Sequence, residues 1–410
     1  MAVYETDEII EKVILVGVAF DTDDDTERSL DELGELAKTA GAQTVGRMIQ
    51  TRDNFHPATY IGKGKIEELR LMIDATGIIC DDELSPAQFK NLEDELGIKV
   101  MDRTMVILDI FAARATSSEG KIQVEMAQLK YRSIRLAGFG TSMSRLGGGI
   151  GTRGPGEKKI ETDRRLIRDR ISKLSADLKD MKEHRDVQRS KRAKTSTPVA
   201  AIVGYTNAGK STLLNKLTDA GVLSEDKLFA TLDPTTRSME LPNGEKVLLT
   251  DTVGFIRKLP HNLIEAFKST LEEAKYADII VHVVDVSNPN YEQQMSTVYA
   301  TLKQLGVEGK PVVTLFNKCD VLPEKPAAKD LHADYTYNIS AVRGNGLEAF
   351  KECLQKIILK SRIRIERVFP YGEAGKIQLI RQFGQLESEE YTEDGIKVLA
   401  YVPKEIEGKL

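Results

Sequence analysis

The chain has 410 residues, with 58 Lys and Arg against 63 Asp and Glu, which leaves a net charge of −5 at pH 7. Apolar residues make up 41% of the chain, and no apolar stretch reaches the ~18 residues of a membrane span, so we expect no membrane insertion. Three widely spaced cysteines favour reduced thiols and a cytoplasmic protein over a disulfide-rich secreted one. The length predicts two to four domains.

Residues 1–112 have the pattern of an α/β domain. Short β-branched runs predict strands at residues 13–18, 43–46, 77–80 and 98–101. Ser85 followed by Pro86 predicts the start of a helix, because serine caps helices and proline suits the first turn. The Gly/Lys-rich segment Tyr60–Lys65 lacks the spacing of a nucleotide loop, so we expect a surface turn there.

Residues 113–196 contain a strongly basic block. From Tyr131 to Thr195 there are 18 Lys and Arg against 8 Asp and Glu, a local charge of +10 in a chain whose remainder is −15. A basic block inside an acidic protein is the electrostatic pattern of a nucleic-acid contact. The sequence therefore predicts that this segment binds nucleic acid.

The basic block has the apolar spacing of two helices. One stripe consists of Ile122, Met126 and Leu129, and a second, with coiled-coil spacing, consists of Ile160, Ile167, Ile171, Leu174, Leu178 and Met181. Between them lies the segment Gly138–Gly156, in which 8 of 19 residues are glycine. The pattern predicts an antiparallel helical hairpin with a Gly-rich tip.

The tip also carries side chains suited to RNA. Cations that could contact phosphates are Arg145, Arg153, Lys158 and Lys159, and Phe139 and Met143 could stack on bases or wedge between them. We expect RNA rather than DNA as the ligand. The alternative is a flexible loop on a solvated helical pair without a nucleic-acid role.

Residues 197–360 contain the motifs of a GTPase domain. An apolar run at Pro198–Val203 predicts a buried strand that leads into a phosphate-binding loop. The expected nucleotide contacts there are Gly204, Tyr205, Thr206, Asn207, Ala208, Gly209, Lys210, Ser211 and Thr212. Backbone N–H groups would surround the β-phosphate, Lys210 would reach the β- and γ-phosphates, and the Ser211 hydroxyl would ligate Mg²⁺.

Two later segments are predicted to sense the γ-phosphate. Asp251, Thr252, Val253 and Gly254 follow a second apolar strand, where Asp251 would hold Mg²⁺ through water and the Gly254 amide would bond the γ-phosphate. The preceding loop contributes Phe229, Ala230, Thr231, Leu232 and Asp233. We expect Thr231 to be its Mg²⁺ ligand, with Thr235 as the alternative. The predicted catalytic groups are thus Lys210, Thr231 and Gly254.

A third motif selects the base. Asn317, Lys318, Cys319 and Asp320 follow another apolar strand, and Ser340, Ala341 and Val342 would close over the base edge. The Asp320 carboxylate can accept from both N1–H and the exocyclic amine of guanine, a donor pair that adenine lacks. The sequence therefore predicts GTP as the ligand.

One residue departs from Ras-like switches. Phe255 occupies the position where those proteins carry a glutamine that orients the attacking water. Because phenylalanine cannot polarise water, we expect slow intrinsic hydrolysis. Asn207 could help to bind K⁺, or could shape the loop through a hydrogen bond, and both readings stay open.

Residues 361–410 predict a small α+β domain. Alternation in Arg362–Phe369 indicates a strand, a helix is expected near Gly375–Phe383, and the segment Tyr391–Tyr401 has the pattern of a β-hairpin. The predicted fold class is thus multidomain α/β, with domains at 1–112, 113–196, 197–360 and 361–410.

Taken over nearly its whole length, the chain resembles the HflX family of translation-associated GTPases. The resemblance rests on segments in the first 115 residues, on the Gly-rich tip and on three nucleotide segments: Tyr60–Lys65, Asp102–Thr104, Asp109–Ala115, Gly147–Glu157, Gly204–Ser211, Phe229–Thr235 and Asp251–Phe255. The Gly-rich tip is the most diagnostic, because generic GTPases lack it. It implies a factor that binds the large ribosomal subunit and its RNA, with a hairpin tip that reaches toward the peptidyl-transferase region. It also implies that the GTP-bound protein splits stalled or idle ribosomes, and that the ribosome stimulates hydrolysis.

The same resemblance implies a cytoplasmic protein that is partly ribosome-associated and monomeric when free. Two other functions fit the residues. One is an RNA-binding ribosome assembly or anti-association factor in which GTP gates placement. The other is a regulator that docks on a protein complex, with the basic hairpin incidental.

Overall fold

A computed structural model describes residues 10–20, 25–72, 74–144, 155–193, 197–218, 228–260, 263, 268–324, 327–408 and 410. Only the backbone is described at 137–144, 155–160, 186, 188–193, 268–271 and 405. The chain divides into two compact units. The first contains Met1–Met181, Glu225–Asp233 and Ile256–Ser269, and the second contains Lys182–Ser224, Pro234–Phe255 and Thr270–Leu410.

The first unit is built on a four-stranded parallel sheet with the order β2-β1-β3-β4. Its strands are β1 (Lys12–Ala19), β2 (Gln43–Thr51), β3 (Gly77–Cys80) and β4 (Lys99–Asp102). Its helices are α1 (Thr26–Thr39), α2 (Lys63–Arg70), α3 (Pro86–Leu96) and α4 (Arg103–Arg114). The apolar residues of β1 and β3 are buried, as expected for central parallel strands covered by helices.

Local signals set the helix boundaries in this unit. Ser85 caps α3 as predicted, since its side chain accepts from the Gln88 amide while the Gln88 side chain accepts from the Ser85 amide. The prediction of a surface turn at Tyr60–Lys65 was wrong. Tyr60 and Ile61 are 1% and 0% exposed, and α2 begins at Lys63. The Tyr-Ile pair therefore belongs to the core.

The basic segment forms two long helices, α5 (Ser118–Ser144) and α6 (Pro155–Ala193). They run antiparallel, because the contacts at residues 125 and 126 of α5 reach residues 170 and 175 of α6, whereas the contact at residue 136, further along α5, reaches residue 164, nearer the start of α6. Glu125 accepts from Arg170 at 2.7 and 2.9 Å, and the Leu136 carbonyl accepts from Arg164 at 2.8 Å. Ser175 contacts the Met126 sulfur at 3.6 Å.

Two details of the predicted hairpin were wrong. The Gly-rich link is shorter than Gly138–Gly156, because α5 continues to Ser144 and α6 begins at Pro155. The buried side of α5 also differs from the predicted stripe: Val124, Met126, Ala127 and Tyr131 are buried, whereas Ile122 and Leu129 are half-buried. On α6, Leu174 is buried and the other described members of the seam are half-buried or more exposed.

The second unit contains a six-stranded sheet with the order β10-β9-β8-β5-β7-β6, parallel except for β6. The strands are β5 (Val199–Gly204), β6 (Thr235–Glu240), β7 (Lys246–Asp251), β8 (Ile279–Asp285), β9 (Val312–Asn317) and β10 (Tyr335–Asn338). The helices are α7 (Lys210–Thr218), α8 (Lys268–Tyr276), α9 (Tyr291–Gln304) and α10 (Leu347–Lys360). Parallel β5, β7 and β9 end at the same sheet edge, which is where α/β proteins bind ligands.

The C-terminal segment belongs to the second unit as well. Its antiparallel sheet has the order β11-β13-β12, formed by β11 (Ile363–Phe369), β12 (Gln385–Thr392) and β13 (Gly395–Val402). Helices α11 (Ala374–Phe383) and α12 (Lys404–Glu407) cover it. Two contacts attach this segment to the turn between β6 and β7: a buried ion pair of Arg362 with Glu245, and a 3.1 Å hydrogen bond from Asn243 to Gln385.

Candidate functional site

The phosphate loop joins the end of β5 to the start of α7 and needs glycine at two points. A Cβ on Gly204 (φ +155) would lie 2.3 Å from the Val283 carbonyl oxygen. A Cβ on Gly209 (φ +93) would lie 2.3 Å from the Asn317 side-chain nitrogen. Asn207 between them has a left-handed φ of 61°. The loop can therefore follow this path only with glycine at both positions.

Lys210 is the buried cation of this loop. It is 7% exposed, and its Nζ donates to the Tyr205 carbonyl at 2.8 Å. Burial lowers the pKa of Lys210 to about 8, although Asp251 opposes the shift. Phosphate oxygens beside this ammonium would stabilise its charge and raise that pKa again.

The two predicted Mg²⁺ ligands of the second unit lie together. The Ser211 hydroxyl donates to Asp251 Oδ2 at 2.7 Å, and Asp251 is fully buried at the end of β7. Hydroxyl and carboxylate oxygens are ligands that Mg²⁺ prefers, and this ion commonly uses one carboxylate plus substrate phosphates. The pair therefore fits a magnesium ion. In the part of the chain described, no cluster of three or more His, Cys, Asp or Glu could hold a metal.

The segment after β7 is fixed against the phosphate loop by its backbone. The Phe255 amide donates to the Gly204 carbonyl at 3.1 Å, and the Thr206 amide donates to the Phe255 carbonyl at 2.8 Å. The Phe255 side chain is 2% exposed. This residue therefore contributes main-chain pairing and core packing. Thr252 is also turned inward, since its hydroxyl donates to the Ile202 carbonyl at 2.8 Å, and Val253 is buried.

The guanine motif is connected to the phosphate loop through Asn317. Its side-chain nitrogen donates to the Ala208 carbonyl at 2.9 Å, and its oxygen accepts from the Ala341 amide at 2.9 Å. One buried amide therefore joins the end of β9 to two predicted nucleotide-binding segments. Lys318 (φ 64°) pairs with Asp285 at 2.7 Å.

The other predicted base-binding residues lie around Asp320. A hydrogen bond from the Ser340 side chain lowers the pKa of the Asp320 carboxyl, which is thus ready to accept hydrogen bonds as an anion. Cys319 is half-buried, and its amide contacts the Ile339 carbonyl at 3.3 Å. Val342 is 73% exposed.

The loop before β6 packs inside the first unit. Phe229 is 2% exposed, and its ring meets the Phe111 ring edge-on at a centroid distance of 4.7 Å. Leu232 is equally buried, and Ala230 and Thr231 are half-buried beside them. Phe229 and Leu232 thus have a packing role that sequence reasoning missed. The alternative ligand Thr235 lies in the second unit, opposite Asp251 in the β6–β7 ladder.

Asp233 contacts the beginning of the hairpin. Its carboxylate accepts from the amide and hydroxyl of Thr116 at 3.0 and 2.7 Å, and from those of Ser117 at 2.8 and 2.5 Å. Ser117 Oγ in turn accepts from the Gly120 amide at 2.9 Å and so caps α5. Burial would raise the pKa of Asp233, but these hydrogen bonds outweigh it and lower that pKa.

The segment after Phe255 also contacts the first sheet. Lys258, with a φ of 52°, pairs with Asp81 and with Asp82, and Arg257 pairs with Asp25 at 3.2 Å. Asp81 is also paired with buried Arg103 at 2.6 Å. The loop that contains Phe229 and Asp233 and the segment that contains Arg257 and Lys258 therefore both have partners within the first unit. The sequence offered no signal for these pairs beyond the two adjacent cations.

The predicted RNA contacts are only partly described. Arg145 and Arg153 lie outside the described residues. The backbone is helical at Phe139 and Met143 in α5 and at Lys158 and Lys159 in α6.

Comparison with known proteins identifies the family. Three family models match in succession: a GTP-binding GTPase N-terminal region at residues 27–112, a GTP-binding GTPase middle region at 114–192, and a 50S ribosome-binding GTPase at 199–318. The chain is 63% identical over 405 residues to GTPase HflX of Lacrimispora saccharolytica, covering 98% of this chain and 96% of that one. The chain belongs to the HflX family of GTPases.

Other HflX proteins extend the similarity. Identity is 49% over 405 residues with that of Caldanaerobacter subterraneus, covering 98% of this chain and 93% of the relative. It is 38% over 395 residues with that of Escherichia coli, covering 94% and 92%. As a member of the HflX family the chain binds GTP and is a GTP hydrolase. Among the described helices, none is both long and apolar enough to cross a membrane.

Proposed function

We propose that this protein binds the large ribosomal subunit and uses GTP to split stalled or idle ribosomes. The observation that carries the proposal is the +10 segment from Tyr131 to Thr195, much of which forms an antiparallel pair of long helices. A basic, Gly-rich segment between such helices can contact an RNA backbone closely. The match to a 50S ribosome-binding GTPase model supports the same partner.

In this proposal the nucleotide site is the one predicted from the three motifs. Gly204–Thr212 and Asp251–Gly254 surround the phosphates, Asn317–Asp320 and Ser340–Val342 hold guanine, and Ser211, Thr231 and Asp251 hold Mg²⁺. The 2.7 Å contact between Ser211 and Asp251 supports the metal assignment. A role for K⁺ at Asn207 is part of the same proposal.

The proposed reaction cycle begins with slow hydrolysis in the free protein. Phe255 supplies no polar side chain to the site, so stimulation by the large subunit is expected to set the rate. We propose a monomer in the cytoplasm, with a fraction bound to ribosomes, and no role for DNA. Residues 1–112, 113–196, 197–360 and 361–410 would act as its domains, with the tip residues Phe139, Met143, Arg145, Arg153, Lys158 and Lys159 contacting ribosomal RNA.

Sucrose-gradient profiles of intact ribosomes test the splitting activity. The protein is added with GTP, GDP or a non-hydrolysable GTP analogue, and we expect free subunits with GTP and with the analogue but not with GDP. If intact ribosomes survive the GTP-bound protein, splitting is refuted. Survival together with blocked reassociation of free subunits would instead support an anti-association factor.

The double variant Arg153→Ala with Lys158→Ala tests whether the basic tip binds the ribosome independently of the nucleotide site. We expect weaker binding to the large subunit, with a shallower dependence on salt concentration and unchanged GTP affinity, because only phosphate contacts are removed. The matched control is Lys38→Ala with Lys303→Ala, which makes the same charge change on helices α1 and α9. Equal losses in both double variants would mean that net charge alone drives binding.

A further inference from the structure

Thr206 carries a buried hydroxyl inside the phosphate loop. The residue is 6% exposed, and within the described part of the chain its Oγ1 has no hydrogen-bond partner. A buried hydroxyl left without a partner costs on the order of 1–3 kcal/mol. Such groups are rare in folded proteins and call for a specific explanation.

The position of Thr206 supplies one. A Cβ placed on Gly254 would lie 2.9 Å from Thr206 Cγ2, 2.9 Å from its Cα and 2.9 Å from Lys210 Nζ. Thr206, Gly254 and Lys210 are therefore immediate neighbours. The Thr206 amide is already used, because it donates to the Phe255 carbonyl at 2.8 Å. Its hydroxyl remains free to bond a ligand.

Neither Lys210 nor Phe255, the neighbouring side chains, can accept a hydrogen bond from an attacking water. A water that attacks phosphorus must donate a hydrogen bond to an acceptor that orients it. Lys210 has only donors, and the buried phenyl ring of Phe255 has neither a donor nor a useful acceptor. A threonine hydroxyl has one O–H and two lone pairs, so it can donate and accept at the same time.

We propose that the Thr206 hydroxyl positions the water that attacks GTP. It accepts a hydrogen bond from the water and donates its own to a γ-phosphate oxygen. The water oxygen then bonds to the γ-phosphorus, the bond to the β–γ bridging oxygen breaks, and its electron pair leaves with GDP. Both hydrogens of the water depart with the phosphate, and Thr206 is unchanged. The inference rests on the proposed placement of the γ-phosphate beside Lys210 and Gly254.

Thr206→Val tests this role, because valine keeps the shape and removes only the hydroxyl. Single-turnover GTP hydrolysis is measured at saturating GTP, with and without the large ribosomal subunit. We expect the rate to fall roughly 100-fold or more in both conditions, because the loss of a single transition-state hydrogen bond costs about 10²–10³ in rate. GDP affinity should stay within about twofold, because GDP lacks the γ-phosphate. Thr206→Ser, which keeps the hydroxyl, should restore most of the rate.

A stability measurement separates this role from a structural one. Because the hydroxyl has no protein partner to lose, Thr206→Val should melt at or above the temperature of the unmodified protein. The matched control is Thr297→Val on α9, whose hydroxyl donates to the Gln293 carbonyl at 3.0 Å. This variant should hydrolyse GTP normally.

Two results would overturn the inference. One is a Thr206→Val protein that hydrolyses GTP within about twofold of the unmodified rate, and the other is a parallel loss of GDP affinity and melting temperature. Neither result depends on ribosome splitting, since the rate without ribosomes is measured in the same series. A failure of the splitting proposal would therefore leave this test intact.

Discussion

Replacing Asp233 with alanine should open the start of α5. The change removes all four hydrogen bonds to Thr116 and Ser117, which are 2.5 to 3.0 Å long. Their loss also frees the Ser117 hydroxyl that caps the Gly120 amide. Asp233 is half-buried, so water replaces part of the interaction. We therefore take the upper end of measured cap losses, about 2 kcal/mol, rather than a sum over four bonds.

Hydrogen exchange measures this opening directly. At about 1.4 kcal/mol per tenfold change, a loss of about 2 kcal/mol raises the exchange rate of the Thr116, Ser117 and Gly120 amides roughly 30-fold. Mass spectrometry of a peptide that spans residues 114–121 reports it. Asp233→Asn should have a smaller effect, because the side-chain oxygen of asparagine can still accept hydrogen bonds from the amide and hydroxyl of Thr116.

The matched control is Asp31→Ala, which removes a carboxylate paired with Arg47 on the exposed surface of the same unit. An exposed pair contributes at most about 1 kcal/mol, and exchange in the 114–121 peptide should not change. If Asp233→Ala alters exchange there less than threefold, the carboxylate does not hold the start of α5. The lowered pKa of Asp233 adds a pH test. Stabilisation by its anion should be full above the ordinary carboxyl pKa and be lost as pH falls through the folded value.

Three further changes have expected outcomes. Gly254→Ala should slow GTP hydrolysis about tenfold or more in a single-turnover assay, because its methyl group would lie 2.9 Å from Lys210 Nζ. Arg103→Met should destabilise the first unit by about 3 kcal/mol in urea unfolding, because buried Asp81 loses the more deeply buried of its two cationic partners, Lys258 being the other. Asp330→Asn should flatten the fall of melting temperature below the ordinary carboxyl pKa. Burial would raise the pKa of Asp330, but hydrogen bonds outweigh it and lower that pKa, so stabilisation by the anion is full above the ordinary carboxyl pKa and is lost as pH falls toward the folded value.

Each of these has a control in the chain. Gly372→Ala adds a methyl group where no atom lies within 4 Å, and it should leave hydrolysis unchanged. Arg28→Met removes a half-exposed cation paired with Asp25, and it should cost less than about 1 kcal/mol. Glu348→Gln neutralises a carboxyl that is 77% exposed, and loss of its surface pair with Lys351 should cost less than about 1 kcal/mol. If a control variant showed the same change as its test variant, the contact assigned to the test residue would be refuted.

The nucleotide motifs could be read from sequence because their geometry is local. The strand before Gly204, the turn and the helix at Lys210 lie within 20 residues, and glycine is required there by the backbone itself. The capped start of α3 at Ser85 is predictable for the same reason. Family membership followed from these motifs and the Gly-rich tip together.

Long-range partners were not predictable. The partners of Phe229 and Asp233, namely Phe111, Thr116 and Ser117, are more than 100 residues away in the chain. A local sequence pattern carries no information about a partner so distant in the chain. Propensity also misled locally. Gly138 and Gly140 weaken a helix by about 1 kcal/mol each, yet α5 continues through both, as tertiary context can override propensity.

The ion pair between Arg362 and Glu245 limits how the protein can be shortened. Arg362 is 5% and Glu245 18% exposed. A fragment that ended at residue 360 would remove the cation that pairs with Glu245 and the Gln385 acceptor of the Asn243 side chain, and would expose both turn residues to water. The hairpin that carries Asp251 would then be damaged at its turn. A recombinant fragment intended to report the enzymology of this protein should therefore retain the chain through α12.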